Sequence, residues 1–116
     1  MIWAFGETGR LRPAARAAVE DPDNEVLVSA VCAWEAAIKL EQGKITIPGD
    51  LGRALQVSRF AALPITVEHG LAAGALPRHH GDPFDRMLIA QAQLESLTIV
   101  TRDRHFAPYD VALLPA

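Results

Sequence analysis

The chain has 116 residues, half of them apolar and 22% charged, with a formal net charge of −3 and a single cysteine. That suits one domain with a buried core over residues 1–116, and it excludes a disulfide scaffold because Cys32 has no second cysteine in the chain to bond with. No apolar run approaches a membrane span and no secretory signal opens the chain, so a cytoplasmic protein without membrane contact is expected; the acidic balance argues against broad, charge-driven nucleic-acid binding.

Residues 12–20, opened by Pro13 and rich in alanine, read as a helix that Asp21-Pro22-Asp23-Asn24 ends. Residues 25–29 read as a short strand. Residues 30–42 read as a helix with Val31, Trp34 and Ile38 on one stripe, stopped by Gly43. A weaker helix is expected over residues 52–60, a short strand or its end at 63–66, and a helix over 67–76 stopped before Pro77. Asp82-Pro83 is a strong helix start, a carboxylate at the N-cap and proline at the first helical position. Asp85 then falls in the first turn, where the helix dipole favours negative charge, and the apolar run 87–90 buries the rest of that helix. Residues 97–101 read as a buried strand and 111–114 as a last one. Strands alternating with helices predict a three-layer α/β/α domain built on a parallel sheet.

In such a sheet, helix N-termini and strand C-termini meet at one edge, the usual place for a site. Asp85, starting its helix, and Asp103, just past the 97–101 strand, should face one another there. Glu35, early in the helix after strand 25–29, should reach the same edge. Each acid has a plainer explanation. Glu35 and Lys39 form an i, i+4 ion pair worth about 0.3–0.5 kcal/mol. Asp82 is explained fully as a cap, Asp85 as a first-turn acid, and Asp103 as a turn residue in Arg102-Asp103-Arg104.

Three carboxylates at one edge without balancing lysines suit a hard cation. Magnesium or manganese takes oxygen ligands, keeps several waters, and can activate water against a phosphodiester. Zinc is not suited: there is no cysteine pair and no HExxH, and His79-His80 is a poor chelate. No Gly-rich phosphate loop occurs, and Ser29, Ser58 and Ser96 lack a nucleophile-elbow context. Arg78, Arg86, Arg102 and Arg104, with His79, His80 and His105, flank the acidic centre as a candidate phosphate-contacting rim, although any one alone reads as solvated surface.

Three segments resemble the PIN-domain ribonucleases, and within them the VapC-like toxins of type II toxin–antitoxin modules. Residues 29–39 with Gly43-Lys44 are similar to the family's serine-to-Trp-Glu helix. Residues 80–92 are similar to its Asp-Pro-Phe-Asp-Arg helix, and Thr101-Arg102-Asp103 with Phe106 and Tyr109 to its last acidic motif. With the segment 12–30, the similarity covers nearly the whole chain. Carried over by position, the resemblance implies Glu35, Asp85 and Asp103 as catalytic, metal-holding acids. Asp82 becomes a neighbouring motif acid, Arg86 a supporting motif residue, and Ser29 and Thr101 polar helpers at the edge.

The family further implies Mg2+- or Mn2+-dependent endoribonuclease activity on structured RNA such as tRNA or rRNA, a homodimer, and a cognate antitoxin that blocks the site. One departure stands out. Family members open with a hydrophobic strand ending in aspartate, whereas residues 1–5 correspond to the helix just after it. The first strand and first acid are therefore expected to be missing, with Glu7 matching no family ligand, through a late start or a truncated copy. The alternative to the toxin is accordingly an inactive PIN remnant that binds an antitoxin or dimerises. A third reading is a processing nuclease outside toxin–antitoxin systems.

Overall fold

The computed structural model describes residues 2–3, 13–43, 60–101 and 104–115. Its elements are β1 (Ile2–Trp3), α1 (Pro13–Glu20), β2 (Leu27–Ser29), α2 (Ala30–Glu41), β3 (Ala61–Leu63), α3 (Val67–Ala75), α4 (Pro83–Glu95), β4 (Thr98–Thr101), a 3-10 turn (Arg104–Phe106) and β5 (Ala112–Pro115). The strands form one sheet in the order β3-β2-β1-β4-β5, every pair parallel. The helix expected over residues 52–60 lies outside the described residues, apart from Phe60.

The expectation of a missing first strand is overturned. Ile2 and Trp3 pair with Leu27 and Val28 on one side and with Ile99 and Val100 on the other, at the centre of the sheet. A short apolar run has no period by which a strand can be told from a helix, so pairing with distant strands decides its state. The strand expected at 63–66 is likewise shifted: residues 61–63 pair with 27–29, and Pro64 ends the ladder because it has no N–H to donate.

Alternation along β4 and β5 builds the layers. Ile99 and Leu113 face the main core, shared with Val31 and Cys32 of α2, Ala73 of α3, and Leu88, Ile89 and Ala92 of α4. Val100 and Leu114 face the opposite side, against the fully buried Ala15 of α1. The period-2 pleat thus sends neighbouring residues to helices on opposite faces. Strand order reverses at β1, with β2 to one side and β4 to the other, which opens the crevice beyond the strand C-termini where ligands bind in such sheets.

Local chemistry fixes the helix ends. Ser29 caps α2, its hydroxyl accepting the Val31 amide at 3.1 Å. Gly43, just past the Gln42 cap, takes a φ of +71°, the left-handed turn glycine adopts at least cost. Thr66 opens α3 with a capping box whose third position is His69 rather than Glu or Gln: the hydroxyl accepts the His69 amide at 3.1 Å and the Thr66 amide donates to His69 Nδ1 at 3.0 Å.

Candidate functional site

The start of α4 is built as its sequence dictates. Asp82 is the N-cap, and its Oδ1 accepts the amides of Phe84 at 2.8 Å and Asp85 at 3.2 Å, two of the donors a helix start otherwise leaves unpaired. Pro83 follows at the first helical position, and Asp85 lies in the first turn. Its carboxylate is three-quarters or more buried and accepts from His80: Nε2 stands 2.7 Å from Oδ2. With Asp85 ionised, and so able only to accept, the donor of this bond would be His80 Nε2–H. His80, Asp82 and Asp85 together bring one donor atom each within 4.8 Å of one another.

The loop from α3 to α4 is tied down from both sides. Arg86, four residues into α4, reaches back over the end of α3. Its Nη2 donates to the carbonyls of Ala73 at 2.9 Å and Leu76 at 3.0 Å, its Nη1 to those of Pro77 at 3.0 Å and His80 at 3.4 Å. These include orphan carbonyls of a helix C-terminus, where the dipole also favours a cation. α3 has no basic residue in its own last turn, so α4 supplies one. The buried Tyr109 accepts the His80 amide at 2.9 Å and donates to Pro77 O at 2.9 Å, with His80 O at 3.3 Å. The His80 ring also stacks on His105, centroids 4.6 Å apart and planes within 11°.

The exposed Arg78 and His79 line a groove of about 530 Å³ beside the site, with His80, Gly81, Pro83 and Met87. Arg86 lies in the lining of the same groove, with its guanidinium donating to main-chain carbonyls.

Glu35 is one-fifth exposed, and its Oε2 lies 3.8 Å from Lys39 Nζ, the ion pair that its spacing predicts. It stands outside the His80, Asp82 and Asp85 group, although α2 and α4 meet next to it through an edge-to-face contact of Trp34 with Phe84, centroids 4.9 Å apart. Thr101 is buried at the C-terminal end of β4. Asp103 lies outside the described residues. Ser29 is fully buried, capping α2 and donating to Gln91 Oε1.

Gln91 belongs to a buried polar chain that no local pattern announces. Its amide nitrogen donates to Pro64 O and His69 Nδ1, both at 3.3 Å, and His69 Nε2 meets Glu95 Oε1 at 2.9 Å. A glutamine between Ala90 and Ala92 on the buried face of α4 is the one signal the sequence offers. His80 had a signal too, since it directly precedes the Gly81-Asp82-Pro83 helix start.

No helix among the described residues is long and apolar enough to cross a membrane. The family model of the PIN domain matches residues 1–112. The chain is 34% identical over 105 residues to Ribonuclease VapC22 of Mycobacterium tuberculosis (strain ATCC 25618 / H37Rv), covering 88% of this chain and 80% of that protein. A toxin-antitoxin complex from Klebsiella pneumoniae shares the fold with a TM-score of 0.62 at 20% identity, over 90% of this chain and 84% of that one. FitAcB from Neisseria gonorrhoeae does so with a TM-score of 0.59 at 19% identity, over 99% and 97%. A family model and a curated relative that each span most of the sequence agree with the parallel sheet and the acidic start of α4: the chain belongs to the PIN-domain family, in its VapC-like branch.

Proposed function

We propose that this protein is a metal-dependent endoribonuclease of the VapC type, a cytoplasmic toxin that cuts structured RNA of the tRNA or rRNA class. The observation that carries the reading is the Asp85 carboxylate, largely buried in the first turn of α4 and held by His80 beside the topological switch of the sheet. The name of the Mycobacterium relative supports RNA as the substrate. The fold shared with a toxin-antitoxin complex supports a cognate antitoxin as partner, and a homodimer is what the family resemblance implies.

Carboxylate oxygens are the donors that Mg2+ and Mn2+ take. Asp85 offers a carboxylate at a helix start, and Glu35 and Asp103 are the acids that would complete an all-oxygen set with it. His80 Nε2 lies 2.7 Å from Asp85 Oδ2, and as the Nε2–H tautomer the imidazole would orient the carboxylate instead of ligating, while Asp82 stays the cap. A bound divalent ion would supply water activation and stabilisation of charge on the attacked phosphate. Asp85 holds the acidic end of the site, the amides at the α4 N-terminus are taken up by Asp82, and the Arg78 side of the groove receives the RNA backbone. Ser29 and Thr101 support the edge from the ends of β2 and β4.

The test is incubation of the purified protein with tRNA and rRNA in Mn2+ and in EDTA. Discrete cuts that need the metal are expected; identical cutting in EDTA overturns metal dependence. One observation favours a second reading, a non-catalytic module that binds an antitoxin or dimerises. Residues 4–6, directly after β1, are Ala-Phe-Gly and carry no carboxylate where family members place their first acid. Antitoxin binding without cleavage of any RNA supports that reading.

A further inference from the structure

We infer that His80 is the positioning residue of the Asp85 carboxylate, and that Arg86 and Tyr109 form the clamp that keeps it in place. The inference rests on reading Asp85 as a metal-holding acid. His80 lies in the irregular link between α3 and α4, where a side chain ordinarily samples several rotamers. Here both main-chain polar groups of the residue are engaged by side chains from elsewhere: Tyr109 accepts its N–H at 2.9 Å, and Arg86 donates to its carbonyl at 3.4 Å. The ring is held as well, with Asp85 at Nε2 and His105 against its face.

An ordinary surface pair has no such scaffold. The other imidazole–carboxylate contact among the described residues, His69 with Glu95, serves as a contrast. Its ring is consumed by the α3 capping box and Gln91, at the far end of α4 from Asp85. Carboxylates that ligate metals are themselves fixed by hydrogen bonds, and loss of the fixing partner typically weakens metal affinity 10–100-fold. His80 holds that position toward Asp85, and Arg86 and Tyr109 act one step behind it. Arg86 is suited to its part because a planar guanidinium holds five donors in a fixed fork, enough for the four carbonyls it meets, whereas an ammonium has three rotating donors.

The test measures Mn2+ binding by calorimetry on the full chain, with circular dichroism and metal-free melting to show that each variant is folded. Asp85→Asn, which tests the underlying reading, should remove binding; a variant that binds as the unaltered protein does overturns that reading. His80→Phe keeps the stacked ring and removes the donor, and should weaken Mn2+ binding by about ten- to a hundredfold. His80→Gln restores an N–H at similar reach and should recover most of the affinity, whereas the shorter His80→Asn should not. Tyr109→Phe and Arg86→Lys should each weaken binding by a smaller factor. If Asp85→Asn loses the metal while His80→Phe binds normally, Asp85 is the ligand and the positioning role is wrong. If His80→Phe abolishes binding and Gln restores nothing, His80 is itself a ligand and the positioning role is again wrong. Should His80→Phe fail to fold, the Gln and Asn variants decide: equal affinities overturn the inference.

Discussion

Two aspartates three positions apart do different work at the start of α4. Asp82 spends Oδ1 on two amides, a role asparagine fills almost as well, so Asp82→Asn should leave stability within a few tenths of a kcal/mol, while Asp82→Ala should cost about 1 kcal/mol in urea unfolding. Asp85 instead receives the His80 imidazole, and Asp85→Asn should remove metal-dependent stabilisation while the metal-free melting temperature holds. Glu35→Gln should abolish cleavage, and Lys39→Ala should change stability by less than about 0.5 kcal/mol, because the partly exposed pair it breaks, 3.8 Å apart, is weak. Cleavage that survives Glu35→Gln would contradict a catalytic role for that residue. The Asp82 cap was legible because capping is settled within four residues of chain. His80 on Asp85 was not, since that contact depends on the path of an irregular loop and on Tyr109, 29 residues away.

α4 ties the domain together by polar as well as apolar contacts. Its first turn carries Asp85, its second reaches the end of α3 through Arg86, and its third places Gln91 against Ser29, Pro64 and His69. Gln91→Leu would leave the buried Ser29 hydroxyl without its acceptor, so it should destabilise the protein by about 1–3 kcal/mol, read as a lower urea midpoint. A midpoint unchanged within error would show that the chain of side chains is dispensable. Ile89, fully buried in the same helix, should cost about 2–5 kcal/mol on truncation to alanine, in line with a core position. The helix itself was readable from Asp82-Pro83 and the apolar run behind it, and so were α1, α2 and α3, whose starts and stops are local. The tie through Gln91 was not, because a polar residue in an apolar run states that a partner exists without saying where.

At the scale of the molecule, the sheet is held at its centre by two residues. β1 pairs along both edges, so a proline at Ile2 would delete a donor where no edge is available to tolerate it, and Ile2→Pro should lower the unfolding midpoint markedly. No change would mean that the Ile2 amide donates to neither neighbour. The parallel α/β architecture was legible in the alternation of strands and helices. The central strand was not, because a run as short as Met1-Ile2-Trp3-Ala4-Phe5 reads equally as helix until β2 and β4 are in place to pair with it. Whether a metal-dependent ribonuclease works through Asp85 is decided by kcat/KM for one cleaved tRNA or rRNA, measured in Mn2+ for the unaltered protein and Asp85→Asn. Cleavage by the unaltered protein alone is expected, with equal metal-free melting temperatures; equal cleavage by both proteins would remove Asp85 from the chemistry.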